Sequence, residues 1–455
     1  MRRTASALLR SGALTCVAGL SGCVGSKAAS GLECSATVAE RIQTVIEVKW
    51  TPPASGTSVV VFDDGETSPL TTPETTAENV DVLLLGMPEN TDVHWTGTTV
   101  FDDGTSATCS GVTRTGSSPG GFPEVVPEVD DPGQDASPWL IGAFYAGAGS
   151  RTANLQIGIY RRDGTLVWYY DGAGSTSGFD VHYAVEGGIW FNEYQGAMGS
   201  TEVTLHRVSL DGVTLDLRET PYAHHGFTEL PDGTIAYDIV DSRLFTDPTT
   251  GEESTWVGDG IVELTTDGRS EQIFSTWDAL DPRSNERSDQ GSLYDGVDWT
   301  HGNMVSYDAD TDLYLLSLAH TGNLLQVNRT SRSLTTIYGG DGIPATPALD
   351  FQHFPTWLDD GHLLMFNSDE TGSGAMEYAV TPDGLEEVWR SPTDTLPVLA
   401  AQAIRLPNGN TFVNRGAGSL LAEYTPDGTV VWGWHTSGRV FGQFYPITDL
   451  YTGGL

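Results

Sequence analysis

The sequence predicts an all-β fold: a six-bladed β-propeller over residues 138–455, preceded by a small immunoglobulin/fibronectin-III-like β-sandwich over residues 33–115. Three observations predict it. Fifty-four glycines, many in Asp-Gly and Asn-Gly pairs, mark tight hairpin turns, and few stretches carry a helical period. From Trp139 onward strand–turn–strand units recur, at Glu186-Gly187, Asp232-Gly233, Ala309-Asp310, Asp360-Gly361 and Asn408-Gly409. Upstream of residue 115, short alternating strands meet a turn every ten or so residues, the rhythm of a sandwich.

The chain opens on a targeting segment that lies outside the fold. Arg2, Arg3 and Arg10 precede a short apolar run that ends in Leu20-Ser21-Gly22-Cys23, a bacterial lipobox pattern. The reading is a signal peptide over residues 1–22, lipidation of Cys23 and an anchored linker over residues 23–32. The apolar run is too short to span a bilayer. Ordinary cleavage near Ala28-Ala29-Ser30 is the alternative. Val24 after the cysteine is no acidic retention signal, so the expected place is the periplasmic face of the outer membrane or the cell surface, with the lipid as the only membrane contact. Cys34 and Cys109 remain in the mature chain. In an oxidising compartment they are expected to pair and close a loop of roughly 75 residues.

Within residues 33–115, Val45–Trp50 alternates and stops at Thr51-Pro52-Pro53, Val59–Phe62 precedes Asp63-Asp64-Gly65, and Val80–Leu85 precedes Gly86-Met87-Pro88. Thr91–Trp95 reads as a strand paired with Thr98–Phe101. His94 alternates within its strand and reads as structural. Residues 116–137, rich in Gly, Ser, Pro and acid, read as the linker.

The later units are spaced by roughly 45, 77, 51 and 48 residues, a propeller-blade period, and the long step carries an insertion around residues 243–297. Second hairpins at Leu210-Asp211-Gly212, Asn328-Arg329-Thr330, Pro382-Asp383-Gly384 and Pro426-Asp427-Gly428 make each unit a four-stranded sheet. With a first unit near residues 140–170 the count is six, and Phe441–Tyr451 is expected to pair near residue 140 and close the ring.

Formal net charge is −39, from 22 basic and 61 acidic residues, too few cations for a phosphate-tracking nucleic-acid partner. The acidity reads as a solvated, aggregation-resistant surface. Calcium is the sharper reading of the two Val-Phe-Asp-Asp-Gly segments at 61–65 and 100–104, though each reads first as a hairpin turn.

Three histidine motifs carry the chemistry: His224-His225-Gly226-Phe227, Asp298-Trp299-Thr300-His301-Gly302-Asn303 and Phe351-Gln352-His353-Phe354. Histidines at matching places in three blades would face one another in a central channel. Such a cluster suits metal ligation by neutral imidazoles or nucleophilic catalysis with charge stabilisation. Hydrogen bonding across the ring is the purely structural reading.

With Leu315-Leu316-Ser317-Leu318-Ala319-His320, Asp360-Gly361-His362-Leu363-Leu364-Met365-Phe366 and the hairpins at Leu406–Asn410 and Thr425–Gly428, these motifs resemble the bacterial periplasmic arylsulfotransferases over roughly residues 138–455. The resemblance implies an enzyme that moves a sulfuryl group from a phenolic sulfate ester to a phenol, with no metal and no cofactor. It makes His353 the nucleophile that forms a sulfohistidine, with His225 and His301 as donors to the sulfuryl oxygens. His224, Asn303 and His320 become substrate-binding residues. The sequence departs from the family at two places. Ala319 stands where the family has an arginine, and Gly226 stands where it favours an acid that orients the imidazole. Those departures keep two other readings open: a catalytically impaired propeller serving as a ligand- or protein-binding lipoprotein, and a metal-dependent hydrolase or lyase built on the histidine cluster.

Overall fold

The computed structural model describes residues 31–131, 133, 137–146, 155–172, 176–196, 199–282, 294–369, 371–393, 400–436 and 439–454. The targeting segment and Cys23 lie outside them. Among the described residues no helix is long and apolar enough to cross a membrane.

Residues 34–114 form two antiparallel sheets around one core. Strands β1 (Cys34–Val38), β2 (Ile46–Trp50) and β5 (Val80–Leu84) make the first sheet. Strands β3 (Gly56–Asp63), β4 (Leu70–Thr71), β6 (Asp92–Phe101) and β7 (Ser106–Arg114) make the second, in the order β4-β3-β6-β7. Alternation sets the inner faces: Ile46, Val48 and Trp50 meet Val60, Phe62, Val93 and Trp95. The segment read as a strand pair at 91–101 is one continuous strand. A Cβ on Gly97 would lie 3.2 Å from Cys109 Sγ and from the Trp50 ring, so this glycine permits close packing and makes no turn.

Cys34 and Cys109 form the disulfide, which ties β1 to β7 across a sequence separation of 75. Closing a loop of that length stabilises the fold by about 4 kcal/mol on the chain-entropy model. A Cys34→Ser/Cys109→Ser variant is therefore expected to lower the urea midpoint of the sandwich. An unchanged midpoint would show that the bridge restrains nothing in the unfolded chain.

The sandwich packs against the first propeller sheet. Ile42, Val45 and Leu85 share a core with Trp139, Ile141, Ile159 and Trp168. Asp64, from the first Asp-Asp-Gly turn, accepts from the Arg161 guanidinium at 2.9 Å with both side chains largely buried. Its Oδ1 accepts from Glu66 N and Thr67 N, so this turn is occupied by protein groups.

Among the described residues six sheets succeed one another after the first two. After β8 (Val125–Asp130) come β9 (Trp139–Ala146), β10 (Gln156–Arg161) and β11 (Leu166–Asp171). The second sheet holds β12 (Thr176–Ser177), β13 (Val181–Tyr183), β14 (Ile189–Gln195), β15 (Val203–Val208) and β16 (Thr214–Glu219). The third holds β17 (Ala223–Glu229), β18 (Ile235–Thr246), β19 (Glu253–Leu264) and β20 (Ser270–Ser275), with the short helix α1 (Thr276–Ala279) and β21 (Val297–Asp298). The insertion around 243–297 thus begins by lengthening the β18–β19 hairpin. The fourth is β22 (Gly302–Asp308), β23 (Leu313–Leu318), β24 (Asn323–Asn328) and β25 (Ser333–Gly339). The fifth is β26 (Ala345–Thr346), β27 (His353–Trp357), β28 (Leu363–Asp369), β29 (Gly372–Thr381) and β30 (Gly384–Arg390). The sixth is β31 (Gln402–Arg405), β32 (Thr411–Asn414), β33 (Leu420–Tyr424) and β34 (Val430–Thr436). The expected Asp-Gly and Asn-Gly turns join these strands, with positive φ at Gly233 (78°) and Gly409 (88°), a conformation glycine adopts without strain.

First strands of neighbouring sheets touch in sequence, β17 to β22 to β27 to β31, and β31 reaches β35 (Arg439–Ile447). β35 pairs with β9, Tyr445 opposite Ile141, so the C-terminal segment completes the first sheet as its sequence position suggests. The fold is an all-β propeller. Residues 125–130 correct the sequence reading: taken there as linker, they form β8 and pair with β34, Gly433 opposite Val129. An edge strand with unpaired backbone groups gains from being covered, and a polar, proline-containing strand can do it.

A buried ion pair joins the first sheet to the sixth. Arg162 Nη2 donates to Glu423 Oε2 at 2.8 Å, Asn410 Nδ2 donates to Glu423 Oε1 at 2.7 Å, and the guanidinium lies over the Trp432 ring.

Candidate active site

The histidine motifs sit where β17, β22 and β27 begin, and each of these strands breaks register there. The slips fall between His224 and Phe227, Gly302 and Met304, and His353 and Thr356. A bulge re-aims side chains that a regular strand would alternate between faces. His225 and His301 take left-handed backbone (φ 55° and 53°). His353 does not; the left-handed residues in its motif are Phe351 and Phe354, both at φ 52°. The three histidines therefore do not hold one equivalent backbone position, contrary to the repeat reading, and different local turns bring them together.

They are brought together. The rings of His225 and His301 are 5.4 Å apart, and those of His301 and His320 stack at 4.7 Å. His353 lies close enough to feel both His225 and His301 electrostatically. His225 and His353 are each 4 % exposed, so charge within the cluster is poorly screened.

Each ring is held by a defined partner. His353 Nδ1 lies 2.8 Å from the Phe351 carbonyl. A carbonyl only accepts, so Nδ1 carries the hydrogen and Nε2 keeps its lone pair. Burial, with a smaller contribution from His301, pushes this imidazole down to about 4, against the opposing pull of the Phe351 carbonyl. His353 is therefore neutral at neutral pH. His301 Nδ1 donates to Asp298 Oδ2 at 2.7 Å, and His320 Nδ1 donates to the Asp298 carbonyl at 2.7 Å. Burial raises the Asp298 carboxyl, but His301, His320 and His224 outweigh it and hold the group below the usual range. Burial, and then the neighbouring His301, holds His320 below the usual histidine value.

Behind this layer lies a second one. His224 Nδ1 is 2.8 Å from His225 Nδ1, and its Nε2 is 2.9 Å from Asp259 Oδ1 and 3.4 Å from Asp238 Oδ2. All three residues are fully buried. Burial opposes charge on His224, yet Asp238 and Asp259 outweigh it and raise the imidazole to about 10. His225 goes the other way, well below the usual value, through burial first and then the charges of His224, His301 and His353. Asp259 Oδ2 also accepts from Thr300 Oγ1 and from Gly302 N. Gly302 is required there, because a Cβ would overlap the Asp238 carboxylate.

Other expected site residues are placed differently from the sequence reading. His224, read as substrate-binding, stands behind His225 and contacts the two carboxylates. Asn303 is 2 % exposed and its Nδ2 donates to the Gln352 carbonyl, tying β22 to β27. Ala319 is buried and its backbone N–H donates to the His301 carbonyl. Strand alternation sets Ala319 and His320 on opposite faces, but both follow the end of β23 in a turn, which frees His320 to stack on His301. Gly226 has no room for the acid the family favours: a Cβ would lie 2.7 Å from Asp180 Oδ2. Asp180, from the second sheet, fills that place, accepting from Phe227 N at 3.1 Å and from Tyr445 Oη at 2.8 Å, with His182 Nε2 at 3.0 Å.

Asp180, Asp238 and Asp259 escaped the sequence reading because a single acid within a strand, or just before one as Asp180 is, carries no motif. Asp259 alone had a signal: it stands between Gly258 and Gly260, neither of which has space for a Cβ. The donor atoms of His224, Asp238 and Asp259, and those of Asp298, His301 and His320, lie within 4.8 Å of one another, a spacing a divalent cation also accepts. In both sets the imidazole–carboxylate contacts described above already account for the approach.

Comparison with known proteins gives a family-model match over part of the chain. A comparison with the curated proteins finds no match. Solved structures align at low identity. A protein of unknown function from Bacteroides caccae is 16 % identical, with 69 % of this chain and 100 % of that chain covered and a TM-score of 0.45. The periplasmic gluconolactonase of Pseudomonas aeruginosa is 12 % identical (67 % and 98 %, TM-score 0.40). A catalytically inactive virginiamycin B lyase from Staphylococcus aureus, solved with quinupristin, is 13 % identical (71 % and 99 %, TM-score 0.41). The family model described as arylsulfotransferase (ASST) matches residues 150–347, a span that holds His224, His225, His301, Asn303, Ala319 and His320 and ends before His353. The match over that span supports an assignment to the arylsulfotransferase family.

Proposed function

We propose that this protein is an aryl-sulfate sulfotransferase working through a sulfohistidine on His353. The observation that carries the reading is the His353 ring itself: neutral, with its hydrogen fixed at Nδ1 by a backbone carbonyl and its Nε2 lone pair left for attack. The Nε2 lone pair attacks the sulfur of an aryl sulfate, the N–S bond forms and the S–O(aryl) bond breaks. The aryl oxygen leaves with the electron pair and takes up a proton. A phenol acceptor then gives its proton to His301 Nε2, its oxygen attacks the same sulfur, and the N–S electron pair returns to His353 Nε2. His225 and His301 donate to the sulfuryl oxygens, where charge accumulates, and a proton at His301 Nε2, steadied by Asp298, serves the departing phenolate. Aromatic side chains beside the imidazoles suit an aryl group: Phe179 meets His225 edge-on, Tyr294 meets His224 and Phe351 meets His320.

The test is incubation with a chromogenic aryl sulfate, with and without a phenol. Phenol release that depends on the acceptor, with the sulfate recovered on the acceptor, is the expected result. Release that ignores the acceptor, or none with any aryl sulfate tried, would overturn the proposal, and metal analysis of the same preparation separates a metal-dependent hydrolase. Export and lipidation at Cys23 are part of the same proposal, supported by the lipobox sequence; labelling with a radioactive fatty acid that survives Cys23→Ser would refute lipidation there.

A further inference from the structure

We propose that His224, seated between Asp238 and Asp259, is a positioning residue that donates its Nδ1–H to His225 and fixes His225 as the Nε2–H tautomer, a donor and never a base. The kinetic arm rests on the sulfotransfer reading; the structural arm does not.

A separation of 2.8 Å between the two Nδ1 atoms requires one hydrogen between them, given by one ring or the other. The far side of His224 decides which. Its Nε2 lies 2.9 Å from a carboxylate oxygen of Asp259 and 3.4 Å from one of Asp238, within ion-pair reach though out of line for a hydrogen bond, and beside carboxylates it carries its hydrogen. These carboxylates come from β18 and β19 and are buried completely; burial, and then Asp259, raises Asp238 to about 7 against the pull of His224, and among the described residues neither Asp238 oxygen makes a hydrogen bond. A buried carboxylate without a counter-charge costs several kcal/mol. His224 is the cation in contact with both, and carrying that charge it holds a hydrogen on each nitrogen. The hydrogen between the rings therefore belongs to His224, and His225 accepts at Nδ1. His225 then keeps its own hydrogen at Nε2, the nitrogen that does not face His224. Neutral His225 beside charged His224 is also what the opposite displacements of the two imidazoles require.

The arrangement has a chemical consequence. Arginine offers an anion a permanent cation with rigid donors, and Ala319 removes it. An Nε2–H donor polarised by an imidazolium one ring behind it returns positive charge to the same pocket without placing a charged side chain in it. Asp259 adds a second duty, since its Oδ2 holds Thr300 and Gly302 on either side of His301. One carboxylate thereby positions both sulfuryl-oxygen donors, His225 and His301.

The experiment uses the full chain labelled with ring-¹⁵N histidine, whose ten imidazoles report their protonation through two-bond ¹⁵N–¹H spectra. At neutral pH the expected spectrum contains an imidazolium that is lost in His224→Gln and a neutral Nε2–H ring that is lost in His225→Gln. Asp259→Asn is expected to weaken the hold on the imidazolium and mix the two tautomers of His225. A wild-type spectrum with His224 neutral, or with His225 as the Nδ1–H form, overturns the proposal without any variant having to fold. In turnover, Asp259→Asn is expected to lower kcat about tenfold or more with a smaller change in KM. An unchanged kcat per folded molecule would overturn the positioning role. The expected spectrum in a protein that transfers no sulfate would sustain the tautomer assignment and refute only the sulfotransfer reading.

Discussion

His353→Ala is expected to lower sulfotransfer from an aryl sulfate to a phenol by about 10⁴-fold or more, the scale on which losing a covalent nucleophile is felt. The substitution removes the imidazole proposed as nucleophile, whose Nδ1–H is held by a backbone carbonyl and whose Nε2 keeps its lone pair. It leaves the anion-facing groups His225 and His301 in place, so aryl-sulfate binding is expected to persist while turnover disappears. Intact-mass analysis of wild-type protein mixed with donor alone should show one added sulfuryl group, and the variant none. A variant that still turns over with wild-type kcat would end the assignment of His353 as nucleophile. The pH dependence sharpens the test. An exposed histidine loses its lone pair to protonation below about pH 6.5. Burial, reinforced by His301 and opposed by the Phe351 carbonyl, moves His353 to about 4. The neutral, reactive form therefore persists on the acid side, and the acid limb of kcat/KM assigned to this residue is expected near pH 4, with no loss at 6.5 from His353.

Glu423→Ala is expected to destabilise the propeller by about 3–5 kcal/mol, the cost of removing one partner from a buried ion pair. Arg162 and Glu423 are 7 % and 0 % exposed in their side chains, and they join β33 to the residue that follows β10. Without Glu423 the buried guanidinium over Trp432 loses this carboxylate, and Asn410 Nδ2 loses its acceptor. Thermal denaturation with and without the substitution measures the effect. The double variant Arg162→Met/Glu423→Met is expected to recover most of the loss, because well-packed apolar side chains replace the pair and leave no charge behind. A single variant as stable as wild type would show that water reaches this pair.

Much of the fold was legible because it rests on local rules. Asp232-Gly233 and Asn408-Gly409 form turns wherever flanking strands need a left-handed corner, and the spacing of such turns gives the sheets. The C-terminal strand was legible as the missing partner of β9. β8 was not: Val125–Asp130 carries a proline and acids and has no inward-facing alternation, so its pairing with β34 comes from an edge elsewhere in the chain. The insertion around 243–297 was legible only as extra length, and residues 283–293 within it lie outside the described residues.

The candidate site divides in the same way. His225, His301 and His353 could be found because their motifs recur beside hairpin signatures, and Cys34 and Cys109 because they are the two cysteines outside the segment read as a targeting sequence. The register slips, the stacking of His320 on His301 and the seat of His224 between Asp238 and Asp259 could not. By itself the sequence determined the strands, their turns and the residues able to do chemistry, since these follow from side-chain period and backbone freedom over a few residues. Only the tertiary structure decided which nitrogen of each imidazole carries its hydrogen, because that is set by how each bulged strand start aims its ring: at the Phe351 carbonyl two residues away for His353, at Asp298 three residues away for His301, and, through His224, at Asp259 on a different strand for His225.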